Sequence, residues 1–442
     1  MTPWRAPFVG SSGKELNASI TIPGSKSLTN RYLVLAALSG QPVALESPLI
    51  ARDTQLMAQA LQSLGVGVDT RDPQRWIITP SPLRGGTVFA GLAGTVMRFI
   101  PPLAALADGD STIDGDPQAR LRPMGAIVDG LRQLGVSIES EHGSLPLRIH
   151  GTGHVAGGTV RIDASASSQF VSGLLLAAPR FNGALDVYHE GHPLPSQPHI
   201  DMTIDALRLA GVTVASEPNH WRVEPSPLQL PDLVVEPDLS NAAPFLAAAM
   251  VCGGSVSIAH WPARTTQPGD HLHTIFERMG AHFTYHHGDG TELDAPLAHG
   301  TYTLMIHADG AHTIRALDMD LHDVGELVPT LAAVAAFADG TSYLRNIGQL
   351  RGHETDRLHA ITTELRKLGV DTETSEDTIT IHPAGTHGAG MHGAILESYA
   401  DHRMATFGAI IGLGVPGVSV KDVATTSKTL PNFVKMWEGM LA

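Results

Sequence analysis

The chain reads as an α/β (α+β) protein made of two pseudosymmetric halves, and three observations predict this. First, helical and strand-like patterns alternate from end to end, with no long linker or low-complexity run. Second, one phrase occurs five times: LQSLGVGVD from Leu61, LRQLGVSIE from Leu131, LRLAGVTVA from Leu207, FERMGAHFT from Phe276 and LRKLGVDTE from Leu365. The pivotal glycines Gly65, Gly135, Gly211, Gly280 and Gly369 are 70, 76, 69 and 89 residues apart. Each copy has apolar residues three or four apart, then a glycine, then alternating apolar residues. That is the end of an amphipathic helix, a residue able to take positive φ, and a strand. The period exceeds that of small solenoid repeats, so the repeated unit is a supersecondary block of two helices and several strands. Third, the chain has 442 residues, of which 43% are hydrophobic and only 5% aromatic. That length suits about two to three domains, with cores filled by Ala, Val, Leu and Ile.

Capping residues and periodicity predict helices over 27–39 (ending at Gly40), 95–107 (carrying the tandem Pro101-Pro102), 168–178, 241–252, 324–338, 355–368 and 402–413. Alternating apolar runs predict strands over 43–46, 76–79, 111–114, 147–150, 159–162, 255–258 and 378–381. A domain boundary is expected near Val235-Glu236-Pro237-Asp238, with three copies of the phrase before it and two after. A blurred sixth copy is expected around 412–420.

The formal charge is 29 − 44 = −15, which argues against a nucleic-acid partner. Any local basic cluster is the more informative for this background. Cys252 is the single cysteine, so an intrachain disulfide and a zinc–cysteine cluster are excluded. The start MTPWRAPFVG lacks a signal pattern, and the longest apolar stretch, 242–252, is far short of the ~20 residues that span a bilayer. A cytoplasmic protein with no membrane partner is expected.

Chemistry is concentrated where helices begin. Pro23-Gly24-Ser25-Lys26-Ser27 leads into a helix with Arg31 on its second turn. Gly91-Leu92-Ala93-Gly94-Thr95 opens another, with Arg98 one turn in; alone, Arg98 reads as a solvated side chain. Ser165-Ala166-Ser167-Ser168-Gln169 opens a third and Asp401-His402-Arg403 a fourth. Helix starts attract anions, and hydroxyl, amide, Lys and Arg side chains there add donors. GTGHVAGG near Gly151 is followed by a strand, so it is not a dinucleotide fingerprint, and no nucleotide P-loop occurs. His271 and His273 do not share a helix face, which argues against a metal site. His286-His287 and 307–312 read as solvated loop or hairpin.

Taken together, PGSKSLTNR from Pro23, LAGTVMR from Leu92, Arg122-Pro123, SASSQF from Ser165, PSQPHID from Pro195, RGHETDR from Arg351, DHRMA from Asp401 and TSKTLP from Thr426 resemble the enolpyruvyl transferase family, in the branch acting on shikimate 3-phosphate. The motifs keep family order and run nearly end to end. The resemblance implies two similar domains, each of three βαβαββ units in an inside-out α/β barrel. It places one domain over 1–24 plus 237–442 and the other over 25–236, with the active site in the cleft between them. It implies transfer of the enolpyruvyl group of phosphoenolpyruvate to the 5-hydroxyl of shikimate 3-phosphate by addition and elimination, with release of phosphate, no cofactor and no metal. A monomer is the family expectation, and glyphosate is the expected inhibitor at the phosphoenolpyruvate site.

By the same resemblance, Lys26 lies between the substrates. Ser27, Arg31, Ser167, Ser168, Gln169, Ser196, Glu326, Gln349 and His353 contact shikimate 3-phosphate. Gly94, Arg122, Gln169, Arg357, Arg403 and Lys428 join Lys26 at phosphoenolpyruvate. Glu326, Glu354 and Lys26 carry the proton transfers. Domain closure would expel water and strengthen these charge interactions. This sequence departs from the family pattern at Glu326 (Asp is usual), Leu92 (Asn), Gln349 (Asn) and His353 (Lys). The last exchanges a permanent charge for one that titrates around pH 6.5. The nearest rival, transfer to UDP-N-acetylglucosamine, commonly uses a loop cysteine, whereas Cys252 lies in the apolar run AAAMVCGG. A non-catalytic sugar-phosphate sensor would be marked by loss of Lys26, Glu326, Glu354 or Arg403, and all four are present.

Overall fold

A computed structural model describes residues 2–10, 15–352 and 354–442. The chain forms two compact units. One is Gly24–Glu236; the other is Pro237–Ala442 together with the N-terminal residues up to Pro23. The α-helices are α1 Lys26–Leu38, α2 Arg52–Ser63, α3 Gly94–Ala105, α4 Gly125–Gln133, α5 Gln169–Ala177, α6 Gln197–Leu209, α7 Leu239–Cys252, α8 Leu272–Arg278, α9 Val328–Ala335, α10 Arg357–Lys367, α11 His402–Gly414 and α12 Phe433–Leu441.

In Gly24–Glu236 the strands form three sheets built on one plan. Gly158–Ile162 pairs parallel with Leu185–His189 across α5. After α6, the hairpin Val214–Glu217 and His220–Val223 adds antiparallel. Thr87–Phe89, Asp108–Asp114, Ser137–Ser140 and Leu147–Thr152 repeat the plan with α3 and α4. In the third sheet Leu233–Val234 returns from the far end of the segment to pair parallel with Val43–Glu46. The second unit contains the same βαβαββ block as Asp318–Asp320, α9, Ser342–Arg345, α10, Asp371–Thr374 and Ile379–His382. Its other two sheets use N-terminal strands: Leu16–Ile20 pairs with Gly254–Pro262, and Trp4–Arg5 pairs with Ser419–Val420. Among the described residues no sheet hydrogen-bonds to another.

The arrangement is inside-out because of which surfaces are apolar. From their first turn onward, α1, α3, α5, α7, α9 and α11 are buried on every side, as expected for Ala- and Leu-rich helices without a polar face. The sheets alternate: in Arg75–Thr79, Trp76 and Ile78 turn inward and their neighbours outward. Each unit keeps its own core.

The repeated phrase is a Schellman cap. All five glycines have φ between +83° and +112°, a region that side chains with a Cβ enter at a cost. The residue after each glycine donates its N–H back to the apolar residue that opens the motif: Val66 to Leu61, Val136 to Leu131, Val212 to Leu207, Ala281 to Phe276 and Val370 to Leu365, at 2.9–3.1 Å. These are the hydrogen bond and apolar pair that close such a cap.

Two expectations change. Gly412–Val420 is the exit of α11, the inner helix of its block, so it is not a sixth copy of the phrase; the corresponding second helix is α12. The single helix expected over 324–338 is a 3₁₀ turn, His322–Leu327, followed by α9. Pro329 stands at the start of α9, where its missing N–H costs nothing. Glu326 thereby falls in the 3₁₀ turn, before the regular helix.

Candidate active site

In Gly24–Glu236 four helix starts converge. Ser25 caps α1 by accepting the Leu28 N–H at 3.4 Å, and Lys26 Nζ faces Asp53 Oδ2 at 3.5 Å. Asn30 donates to Thr95 Oγ1 at 2.6 Å, joining α1 to the start of α3. Arg31 is 1% exposed. It donates to Thr203 Oγ1 at 2.8 Å, the His199 carbonyl at 2.7 Å and the Ser27 carbonyl at 3.0 Å. It therefore ties α1 to the start of α6, and its guanidinium is engaged with the scaffold. Ser196, in left-handed conformation, immediately precedes α6. Ser168 precedes α5, and Ser167 Oγ accepts the Gln169 N–H at 3.3 Å.

The start of α3 is the tightest corner. A Cβ at Gly94 would lie 3.0 Å from Gln169 Oε1 and 3.3 Å from each terminal nitrogen of Arg122. Gly94, Arg122 and Gln169 thus meet. Arg98 is not a solvated side chain: it is 2% exposed, lies 5.6 Å from the Phe170 ring centre and donates to the Pro123 carbonyl at 3.0 Å. It braces the loop carrying Arg122. Burial first, then the charge of Arg122, push its guanidinium below the usual range. Guanidinium groups stay protonated in proteins, so two like charges face each other and an anion would relieve them. Gln169 Oε1 and Arg98 Nε are buried without a hydrogen-bond partner, each at a cost in stability.

In the other unit Glu326, Glu354, Arg357, Arg403 and Lys428 come together. Asp401 caps α11 by accepting the Arg403 N–H at 2.8 Å, and it accepts Arg357 through both oxygens at 2.7 and 3.2 Å. Arg403 donates to the Ser240 carbonyl at 2.6 Å, and Ser240 Oγ donates to Glu326 Oε1. Glu354 accepts Lys428 Nζ at 2.5 Å and lies 3.3 Å from His402 Nδ1. Gln349 donates to the His322 carbonyl at 3.1 Å, beside Gly325 and Glu326. His353 lies outside the described residues.

Burial alone would raise the Glu354 carboxyl, yet the surrounding cations hold it well below the usual range. His402 is itself pushed down by burial and by Arg403, although Glu354 opposes this. A neutral imidazole supplies little attraction, so Lys428 and Arg357 keep Glu354 ionised. Burial likewise works against the Asp401 carboxylate, and Arg357 overcomes it. Glu354, Asp401 and His402 are close enough to share an ion, but their oxygens already face Lys428 and Arg357.

Among the residues in these clusters, Asp53 and Ser240 were not noted in the sequence at all, while Arg98, Asp401 and His402 were noted only at helix starts and given no role in the site. Ser240 had a usable signal. Pro237-Asp238-Leu239-Ser240-Asn241 opens α7 as Pro23–Ser27 opens α1, so superposing the halves would have found it. His286 and His307, expected in a solvated loop or hairpin, lie on adjacent antiparallel strands and both approach Thr284 Oγ1 at 2.9 Å. No helix among the described residues is long and apolar enough to cross a membrane.

Comparison with known proteins identifies the family. The family model described as EPSP synthase (3-phosphoshikimate 1-carboxyvinyltransferase) matches residues 11–437. A 3-phosphoshikimate 1-carboxyvinyltransferase of Kocuria rhizophila is 49% identical, over 98% of this chain and 95% of its own length. One from Bifidobacterium longum is 47% identical, over 99% and 98%. The crystal structure of EPSP synthase from Acinetobacter baumannii superposes with a TM-score of 0.80 at 26% identity, covering 99% of this chain and 97% of that one. The enolpyruvyl transferase NikO from Streptomyces tendae shares the fold at a TM-score of 0.72 and 16% identity, over 98% and 97%. The chain belongs to the EPSP synthase family, the 3-phosphoshikimate 1-carboxyvinyltransferases.

Proposed function

We infer that the protein transfers the enolpyruvyl group of phosphoenolpyruvate to the 5-hydroxyl of shikimate 3-phosphate, giving 5-enolpyruvylshikimate 3-phosphate and phosphate. The observation that carries this reading is the cationic corner where half-buried Gly94, Arg122 and Gln169 meet over buried Arg98, in a chain of net charge −15. A site for two polyanions must offset their mutual repulsion with fixed cations and helix starts.

Gly94, Arg122 and Gln169 bind phosphoenolpyruvate, together with Arg357, Arg403 and Lys428. Lys26, Ser27, Ser167, Ser168, Gln169, Ser196 and Gln349 bind shikimate 3-phosphate, and Arg31 acts mainly by holding Ser27 and α6 in place. Glu326, oriented by Ser240, accepts the 5-hydroxyl proton as that oxygen attacks C2 of phosphoenolpyruvate. The methylene carbon takes a proton to become a methyl group, and the tetrahedral intermediate then gives up a methyl proton as its C2–O bond to phosphate breaks, which restores the carbon–carbon double bond. Glu354 and Lys26 carry this second proton traffic. Glu354 is held ionised by its ion pair with Lys428, supported by Arg357. A substrate phosphate that draws Lys428 away removes that attraction, so Glu354 becomes basic enough to pick up a proton as substrate arrives.

Transfer to UDP-N-acetylglucosamine fits less well. Cys252 is half-buried at the end of α7, and burial pushes its thiol up to about 12, which removes the poised acid that reading would need. Glyphosate is expected to compete with phosphoenolpyruvate. The test is phosphate release with shikimate 3-phosphate as the sole acceptor. Release that instead requires UDP-N-acetylglucosamine overturns the reading.

A further inference from the structure

α10 carries two acid–base side chains on one face. Arg357 is its first residue and Glu364 lies seven residues on, two helical turns away. Both reach the same stretch of chain, the segment that leads into α11. Arg357 holds Asp401 bidentately at 2.7 and 3.2 Å. Glu364, with no exposed surface, accepts the Tyr399 hydroxyl at 2.5 Å and the Glu397 N–H at 3.2 Å. Lys367 closes its remaining valences at 2.8 and 2.9 Å.

The backbone between these anchors would not hold its shape unaided. Tyr399 and Ala400 are consecutive residues with φ of +54°, and neither is a type that favours the left-handed region. Such a turn persists when its surroundings over-determine it. It is followed at once by Asp401, His402 and Arg403, whose direction it sets.

We propose that Glu364 is a positioning residue: with Arg357 it forms a two-point clamp on 397–401 that aims the start of α11, and with it His402 and Arg403, at the anion site. The proposal rests on the assignment of Arg403 to phosphoenolpyruvate binding. Tyr399 is the movable half of the second anchor, since its hydroxyl can be deleted while its ring is kept.

Two variants of the full chain, Tyr399→Phe and Glu364→Gln, test this by steady-state kinetics with each substrate varied in turn, by thermal unfolding and by amide hydrogen exchange. Tyr399→Phe is expected to raise KM for phosphoenolpyruvate at least tenfold, leave KM for shikimate 3-phosphate within twofold, and speed exchange at 401–404 at least tenfold. Glu364→Gln keeps an acceptor for Tyr399 but turns a donor toward Lys367 or the Glu397 N–H, so a smaller change of the same kind is expected. A fall in melting temperature with KM for phosphoenolpyruvate unchanged, or an equal rise in both KM values, overturns the proposal. Hydrogen exchange judges the clamp separately from the reaction. If wild-type protein releases no phosphate, the activity reading fails, whereas exchange at 401–404 unaltered by Tyr399→Phe sinks the clamp alone.

Discussion

Replacing Gly94 with alanine isolates the corner proposed to bind phosphoenolpyruvate. The new methyl would sit 3.0 Å from Gln169 Oε1 and 3.3 Å from both terminal nitrogens of Arg122. Ordinary contacts of this kind lie at about 3.5–4.0 Å, so the neighbours must retreat by a few tenths of an ångström. Position 94 is the first residue of α3, so the backbone accepts alanine. The atoms that must move are side-chain ends, and the fold survives. The loss therefore falls on whatever anion Arg122 and Gln169 hold. Overpacking of this size costs about 1–3 kcal/mol, a factor from about five to over a hundred in an equilibrium constant. In the proposed reading glyphosate occupies the phosphoenolpyruvate site and needs the room that the absent side chain leaves, so its inhibition constant should rise at least tenfold while KM for phosphoenolpyruvate rises less. The assay is inhibition of phosphate release by glyphosate at several phosphoenolpyruvate concentrations. Equal inhibition of wild type and variant would refute the placement of Gly94.

Other predictions follow from single features. Asp401→Asn strands the buried Arg357 guanidinium and should lower unfolding free energy by ~3–5 kcal/mol, measured by urea denaturation at pH 7. Because Arg357 holds the Asp401 carboxyl low, this pair stabilises the fold above the unfolded carboxyl pKa of about 3.9 and is lost as pH falls through the lower folded value. Acid titration of the variant should thus show a shallower loss of stability below about pH 4 than wild type. Gly211→Ala meets no neighbour within 4 Å but keeps φ at +83°, so it should cost about 1–2 kcal/mol with turnover unchanged; an undiminished denaturation midpoint would contradict the cap. For His353, affinity for shikimate 3-phosphate should weaken as pH rises through the titration of that imidazole, and His353→Lys should abolish that dependence. An unaltered pH profile in that variant would count against a charged role.

Much of this architecture was legible because it is local. A helix end, a positive-φ glycine and an apolar pair three residues before and two after the cap lie within six residues, so Leu61–Val66 and its four counterparts declare themselves in the sequence. Helix starts are equally local: Ser25, Asp356 and Asp401 each cap the helix they precede. Glu326 was found by its motif, but its surroundings were not, since Pro329 shortens α9 and leaves Glu326 in a 3₁₀ turn beside Ser240, 86 residues away in sequence. Arg98 and Arg31 illustrate the same limit from the other side. Each reads as a cation one turn into a helix, and only packing decides that one braces the Arg122 loop while the other is engaged with α6.

The sequence by itself therefore determined the repeated block, its helix caps, the family and the motif residues, because hydrogen bonds and hydrophobic period within a few residues suffice for them. Tertiary structure alone decided which charges are buried together. Those pairings (Glu354 with Lys428, Asp401 with Arg357, Glu364 with Tyr399) join residues tens of positions apart, and their strength comes from exclusion of water that only the folded core provides.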